Sequence, residues 1–482
     1  MVEPPGNAYG KVRGKMREKN SSRRNFLKSA GQSLALMPLA ASVLRAETTK
    51  QKPSPAKEKP AAAPGVRLNV REMGATGDGK TKDTVALQMT LDRCSVLGGG
   101  VVVVPAGSYL TGALVLRSNT TLYLEQGAAL QASPDLADYS FTQVRWEGKW
   151  VKGYMGFVSA TDAENIAITG PGKIEGNPVF ARRVDPQTGH RYAALLEFTS
   201  CRNVRVEGCQ TVQYGMWSIH PVYSENIAFK QLQIKSGADG IDVDSCRHVV
   251  IEDCNFDTGD DCISLKSGRG EEGYTLMRTT EDVLIRNCTF SDSGFACIGI
   301  GSETSGGIRN ARVEHCRFVY ARSHAVYIKS RPGRGAFIED ISMSDLDVRG
   351  VQQGFLRLNF LSSGKHDENQ VPGMDGIPTV KNYRFDRIHV EDVPMLVKGD
   401  EIDARKPLDG LVLTNVTGSC RKGIVLANMR NVLLDKIQVT GFEGPLLSTA
   451  HVSGKGLSGA AALPEPAAGE EVPTPNTPYV LR

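Results

Sequence analysis

The chain has 482 residues, enough for one large domain or two average ones, and its 51 glycines point to many turns. Hydrophobic residues make up 40% and aromatics 6%, so a core has to be built mainly from aliphatic side chains. Of 57 Lys/Arg and 53 Asp/Glu, residues 1–46 hold nine and two; the remaining 48 and 51 leave a charge near −3, which removes the case for a nucleic-acid partner.

The first 46 residues read as an export signal rather than as part of the fold. Residues 11–28 are basic, the pair Arg23-Arg24 fits the bacterial twin-arginine type, and a moderately apolar run with small residues follows to Leu44. Cleavage near Ala46 predicts an exported bacterial protein, periplasmic or extracellular. No internal run has the length of a membrane-spanning helix, so no membrane contact is expected after signal removal. Residues 47–65, rich in Lys, Pro and Ala, read as a flexible linker. Residues 66–450 form the main domain, and 451–482 read as a loosely held tail.

Next come Asn69-Val-Arg-Glu-Met-Gly-Ala-Thr-Gly-Asp-Gly-Lys80 and an amphipathic helical pattern from Asp83 to Leu97, entered through an N-cap-like Thr or Asp. Gly98-Gly-Gly-Val-Val-Val-Val-Pro105 and Asn119-Thr-Thr-Leu-Tyr-Leu124 read as strands. The three glycines precede a strand instead of opening a helix, which excludes a phosphate-binding loop.

Beyond this point one pattern recurs: a polar residue, alternating apolar residues, and a small or apolar residue six positions on. Copies start at Asn165, Asn203, Asn226, His248, Asp282 and Asn310, with weaker ones near Gly335, Asn382, Gly410 and Asn431. Period-two alternation means strands with one face inward. A single such unit cannot bury that face, whereas stacked units can. The repeat predicts an all-β fold, a parallel β-helix whose open end is closed by the short helix. The position six residues on reads Cys209, Leu232, Cys254, Cys288, Cys316, Ile341, Ile388, Val416 and Ile437, a continuous interior row. Four of the ten cysteines fall in that row, so a ladder of buried thiols is expected there instead of disulfides, with Cys201, Cys246 and Cys262 left open. No Cys/His spacing resembles a zinc site. Neither a metal nor a cofactor is expected.

Chemistry concentrates in Ser236-Gly-Ala-Asp-Gly-Ile-Asp-Val-Asp-Ser-Cys246 and Thr258-Gly-Asp-Asp-Cys-Ile-Ser-Leu-Lys266. Asp239, Asp260 and Asp261 bring three carboxylates together, and like charges at close range push one pKa up while others stay ionised. A raised acid and an ionised base are what glycoside hydrolysis needs on the two sides of a sugar–sugar bond. Asp242, Asp244, Asp253 and Asp257 read more simply as turn residues. Neighbouring coils lie about 4.8 Å apart, so Asp239 and Asp260 are expected to stack, with Asp261 pointing elsewhere unless the turn bends it back.

From about Val66 to Phe442 the chain resembles the polygalacturonase family of glycoside hydrolases, family 28. The resemblance rests on residues 69–80, Trp217-Ser-Ile-His-Pro-Val222, Ala238-Asp-Gly-Ile-Asp242, Gly259-Asp-Asp-Cys-Ile-Ser-Leu-Lys-Ser-Gly268, Ile300-Gly-Ser-Glu-Thr-Ser-Gly-Gly-Ile308 and Tyr327-Ile-Lys-Ser-Arg-Pro-Gly-Arg-Gly335. It implies a right-handed parallel β-helix that hydrolyses a pectic poly- or oligosaccharide with inversion. Asp260 takes the place of the general acid, Asp239 and Asp261 those of the water-activating carboxylates, and Lys329 that of a lysine contacting a uronate carboxylate. Lys266, Arg269, Arg331 and Arg334 are candidates for the same cleft, with solvated surface charge as the plain alternative for the arginines.

The departures are specific. The family's Gly-His-Gly histidine falls at Phe295 or Ala296, and its Arg-Ile-Lys motif reads Tyr327-Ile-Lys329. Tyr327 cannot make the two-pronged carboxylate contact of an arginine; it stacks on a sugar or gives one hydrogen bond. His324 is a candidate to restore the imidazole, against the reading of an ordinary surface histidine. Two other functions fit less of the sequence: a carbohydrate-binding β-helix with weakened catalysis, and a calcium-dependent polysaccharide lyase. Endo or exo action, the pectic backbone and the oligomeric state stay open.

Overall fold

In a computed structural model, which describes residues 65–473, the alternating segments become short parallel strands, each paired with its equivalent about one repeat away. Each coil of the domain contributes three strands, and the coils stack into three long faces. The first runs through Glu164–Thr169, Arg202–Glu207, Glu225–Lys230, Arg247–Glu252, Thr280–Arg286 and Ile308–Glu314. The second runs through Lys173–Glu175, Gln210–Gln213, Gln233–Ser236, Asn255–Thr258 and Thr289–Ser293. The third, which carries the site, runs through Leu196–Thr199, Ile219–Val222, Ile241–Asp244, Ile263–Lys266, Ile298–Ile300, His324–Lys329 and Gly354–Asn359. This is a parallel β-helix, as the repeat predicts. The predicted signal and most of the predicted linker lie outside the described residues, as does the end of the tail.

The polar first residue of each repeat has a conformational cause. Asn165, Asn203, Asn226, His248, Asp282, Asn310, Asn382 and Asn431 all have φ between 52° and 60°, a left-handed conformation that Asn tolerates better than most residues. Their amides also tie the coils together: Asn165 donates to Asn119 at 2.8 Å, Asn203 to Asn165 at 2.8 Å, and Asn226 to Asn203 at 3.1 Å. That conformation corrects one copy. The unit placed at Gly335 begins five residues later at Asp340, which has φ 56° and accepts from Asn382 Nδ2 at 2.8 Å. The row member there is Leu346, paired with Ile388, and Ile341 pairs instead with Tyr383.

All ten cysteines are buried and free, including the three left open. Beside the aliphatic rows runs a ring ladder, Phe256–Phe290–Phe318, with centroids 5.4 and 4.8 Å apart. The predicted helix spans Thr84–Val96 and packs Leu87, Leu91 and Cys94 into the core. Asp83 precedes it but makes no cap hydrogen bond; its carboxylate instead takes Thr76 N, Thr76 Oγ1 and Gly77 N at 2.7, 3.0 and 2.9 Å. At the other end, residues 451–455 belong to the strand Leu447–Lys455, and Val472 O accepts from Gly373 N at 3.1 Å. One feature has no counterpart in the sequence reading: Phe141–Trp146 and Lys149–Tyr154 form an antiparallel hairpin, which reaches over the third face.

Candidate active site

The corner before each third-face strand stacks Trp217, Asp239, Asp261, Ala296 and His324. The stacking bonds run from Ser218 N to Asp239 O, Gly240 N to Asp261 O, Cys262 N to Ala296 O and Cys297 N to His324 O, at 3.0–3.3 Å. The acids are therefore paired differently from the expectation. Asp239 stacks with Asp261, one coil apart, while Asp260 follows Ala238 through a bond from its own N to Ala238 O at 3.3 Å. The corner turns the chain between two consecutive residues, so Asp260 and Asp261 both reach the same cavity of about 510 Å³, and Asp239 faces it too. The close stacking of these corners needs glycine: a Cβ at Gly259 would lie 2.3 Å from Gly237 O.

Within the strands, outward positions form columns. One reads Asp242, Ser264, Gly299, Tyr327 and Arg357 in register. Ser264 Oγ lies 3.2 Å from Asp239 Oδ2 and 3.1 Å from Asp261 Oδ2, so one hydroxyl spans both carboxylates. Gly299 clears the space for Asp261, whose Oδ2 would sit 2.4 Å from any Cβ there. In the neighbouring column Lys266 Nζ is 3.2 Å from Asp239 Oδ2, and Lys329 Nζ is 3.0 Å from Asp261 Oδ2. Arg183, from the 181–192 loop, pairs with Asp260 and stands 3.8 Å from Asp239.

These contacts divide the protons. Burial alone would raise the Asp239 pKa, but Lys266, Arg183 and Lys329 outweigh it and hold the carboxyl below its usual value. Burial, followed by the charges of Asp239 and Asp261, pushes Asp260 up to about 6 against the pull of Arg183. Below that pH the cavity presents a carboxylic acid beside two cation-bound carboxyls, a donor and a base within one site.

Lys329, Tyr327 and Lys266 all line the cavity; His324 does not. His324 is not a surface residue either. It is 3% exposed, its Nδ1 is 2.9 Å from Ser323 Oγ, and its ring lies 5.9 Å from Tyr327. Burial, then Arg357 and Lys398, push its pKa down to about 3, so the ring is neutral and braces Tyr327. Asp242 and Asp244 are also corrected: they are buried strand residues, not turn residues. Lys266 Nζ forms an ion pair with Asp242 Oδ1 at 2.5 Å. Burial and then Asp239 keep the Asp242 carboxyl well above the usual range. Arg269, Arg331 and Arg334 are neither solvated nor in the cavity lining; they anchor residues 364–367. Arg269 meets Asp367 at 2.9 Å, Arg331 Nη1 donates to Gly364 O at 2.8 Å, and Arg334 pairs with Asp367.

Towards the N-terminal coils the third face is covered. Arg191 Nη1 and Nη2 hold Glu197 at 2.8 and 2.9 Å, His220 Nδ1 stands 3.2 Å from Glu197, and Arg145 Nε is 3.0 Å from Asp244. Above them the 181–192 loop meets the hairpin, with Tyr154 N donating to Arg191 O at 2.9 Å and Arg191 Nη1 to Arg145 O at 2.8 Å. The sequence reading missed Arg183 and Arg357 as cavity residues. No motif marks Arg183, but extending the strand register from Tyr327 by one coil would have placed Arg357.

The profile of glycosyl hydrolases family 28 matches residues 94–371, more than half of the chain. The chain belongs to that family. A probable polygalacturonase of Vitis vinifera is 29% identical over 362 residues, covering 72% of this chain and 73% of its own. An exopolygalacturonase from Thermotoga maritima superposes with a TM-score of 0.63 at 27% identity, over 81% of this chain and 92% of that one. A family 28 exopolygalacturonase of Yersinia enterocolitica gives 0.67 at 22% identity, over 82% and 78%, a likeness of fold. This family 28 glycoside hydrolase thus has the parallel β-helix expected from its repeats, with the right hand that the family resemblance implies.

Proposed function

We propose that this glycoside hydrolase is exported and cuts polygalacturonan with inversion, working inward from a chain end. The observation that carries the reading is that Asp260 and the stacked Asp239–Asp261 pair line one cavity. Asp260, protonated below about pH 6, gives its proton to the glycosidic oxygen as the bond to the anomeric carbon breaks. Asp239 and Asp261 hold a water and take its proton as its oxygen attacks that carbon from the opposite face. Inversion is favoured because both carboxylates are already engaged by a lysine and by Ser264, which suits them to gripping a water better than to forming a glycosyl ester. The same engagement disfavours the lyase reading, since a calcium ion would have to displace Lys266 and Lys329 from these oxygens.

Action from a chain end is supported by the covered N-terminal coils: His220, outward on the third face, and Arg191, in the loop over it, are 1% and 0% exposed, so the groove ends there. Export rests on Arg23-Arg24 and the apolar run behind them, and replacing both arginines by lysine should retain the protein in the cell. The catalytic reading is tested with Asp260→Asn on galacturonan oligosaccharides. The expected result is loss of reducing-end release in a folded protein, while the wild type liberates one short product from the first minutes. Unchanged turnover in Asp260→Asn would leave the binding-module reading standing, and a spread of intermediate oligomers would refute end-wise cleavage.

A further inference from the structure

A polyuronate brings a negative charge with every sugar, yet the cavity is already lined by Glu147, Asp239, Asp260, Asp261 and Glu303. Binding such a chain needs a cation with donors to spare. Four cations line the cavity, and three of them are paired with its aspartates. Lys266 serves Asp239 and Asp242 and lies 4.4 Å from the centre of the Trp217 ring. Lys329 serves Asp261, and Arg183 serves Asp260.

Arg357 differs. Its Nε and Nη2 engage the two oxygens of Glu401 at 2.9–3.0 Å. Nη1 has no hydrogen-bond partner among the described residues. A guanidinium gripped along one edge still offers the end formed by Nη1 and the second Nη2 hydrogen, a second fork for a carboxylate. The head group is held in place by Glu401 and by the Tyr327 ring, whose centroid is 4.9 Å from Cζ. Tyr327 is oriented in turn. Asn359 Oδ1 accepts from Leu361 N and Ser362 N, both at 3.1 Å, so its Nδ2 must face the tyrosine, donating to Tyr327 Oη at 3.3 Å. The tyrosine hydroxyl is then an acceptor to Asn359, with its own proton left for the cavity. Phe295 lies 5.8 Å from the Tyr327 ring, and Lys329 Nζ stands 4.8 and 5.1 Å from the two ring centroids.

We infer that Arg357 is the specificity-determining residue for a free uronate carboxylate, gripping the sugar that sits beside the Tyr327 hydroxyl. The inference rests on the polygalacturonan reading and names the chemical form it takes: the unesterified acid, with Tyr327 donating to a hydroxyl of the same sugar. A methyl ester removes the charge and one fork oxygen, so it forfeits the contact.

Binding separates this inference from turnover. In the Asp260→Asn background, affinity is measured by calorimetry for a galacturonan oligosaccharide and for its methyl ester, with and without Arg357→Gln. Loss of a charge-assisted, two-pronged contact should weaken the acid by about ten- to a hundredfold and leave the ester within about twofold. Arg357→Lys, which keeps the charge but not the fork, should fall between, and thermal melting confirms that each variant is folded. Glu401→Gln loosens the clamp without removing the cation and should cost the acid less than Arg357→Gln does. Equal losses on acid and ester, or no loss on either, would overturn the assignment. Acid-selective binding that depends on Arg357 in a wild-type protein without turnover would sink the hydrolase reading and leave this one intact.

Discussion

The two ends of the third face use charge in opposite ways. At the N-terminal coils, Glu197, His220 and Asp244 point outward from the strands and are nearly inaccessible, because Arg145 of the hairpin and Arg191 of the 181–192 loop lie over them. Burial would raise Glu197, but Arg191 and His220 together bring its pKa down to about 2. At the C-terminal coils the same outward column continues as Arg357 and Lys398, with side chains 23% and 33% exposed. The covered charges answer only one another, whereas the open ones have capacity left for a ligand. Coverage of the groove decides which charges are structural, and the three aspartates lie where coverage stops.

That contrast can be broken at several points. The largest effect is expected at the boundary: Asp260→Asn should lower kcat by about 10²–10⁴-fold with little change in thermal stability, in steady-state rates paired with melting curves. Next, Arg191→Ala at the covered end strands Glu197 without its cation and should destabilise the fold by about 3–5 kcal/mol, read by denaturant unfolding. Arg357→Ala at the open end should leave the melting temperature within a few degrees and act on KM for the acid substrate. The smallest effect belongs to Lys398→Ala, whose exposed contact with Asp400 at 2.9 Å should contribute about 0–1 kcal/mol. A double-mutant cycle between Arg357 and Lys398 would sharpen the boundary between them.

The pH dependence follows from the same division. A proton donor with pKa about 6 makes kcat/KM fall tenfold per unit as pH rises above that value. The acid limb lies below the usual carboxylate range because Asp239 is held ionised. Stability runs with the same sign: a carboxyl raised in the folded state stabilises below its unfolded value of 3.8, and that contribution is lost as pH climbs through about 6. Asp260→Asn should remove that slope from a series of melting curves.

Much of this was legible in the residues. Period-two alternation and the recurring polar corner are local properties, so the parallel β-helix follows from them directly, as the capping helix does from its own amphipathic pattern. The three aspartates were legible because Asp260 and Asp261 are adjacent and Asp239 sits one repeat away. Which two would stack was not, because that depends on how the corner divides consecutive side chains between faces. Asp242 and Asp244 looked like turn residues because the partners that bury them, Lys266 one coil on and Arg145 of the distant hairpin, leave no trace in their own segment. The same is true of His324, whose neighbours Arg357 and Lys398 come from later coils. Arg183 lies in a loop without pattern, and only tertiary contact brings it to Asp260.

In the proposed mechanism Asp260 gives a proton while water, held by Asp239 and Asp261, enters from the other side. Proton NMR of the first product released from a galacturonan oligosaccharide, recorded before mutarotation, reads this out directly. The account predicts an anomeric configuration opposite to that of the cleaved bond. Release of the same configuration would mean that a carboxylate attacked the sugar, and would contradict it.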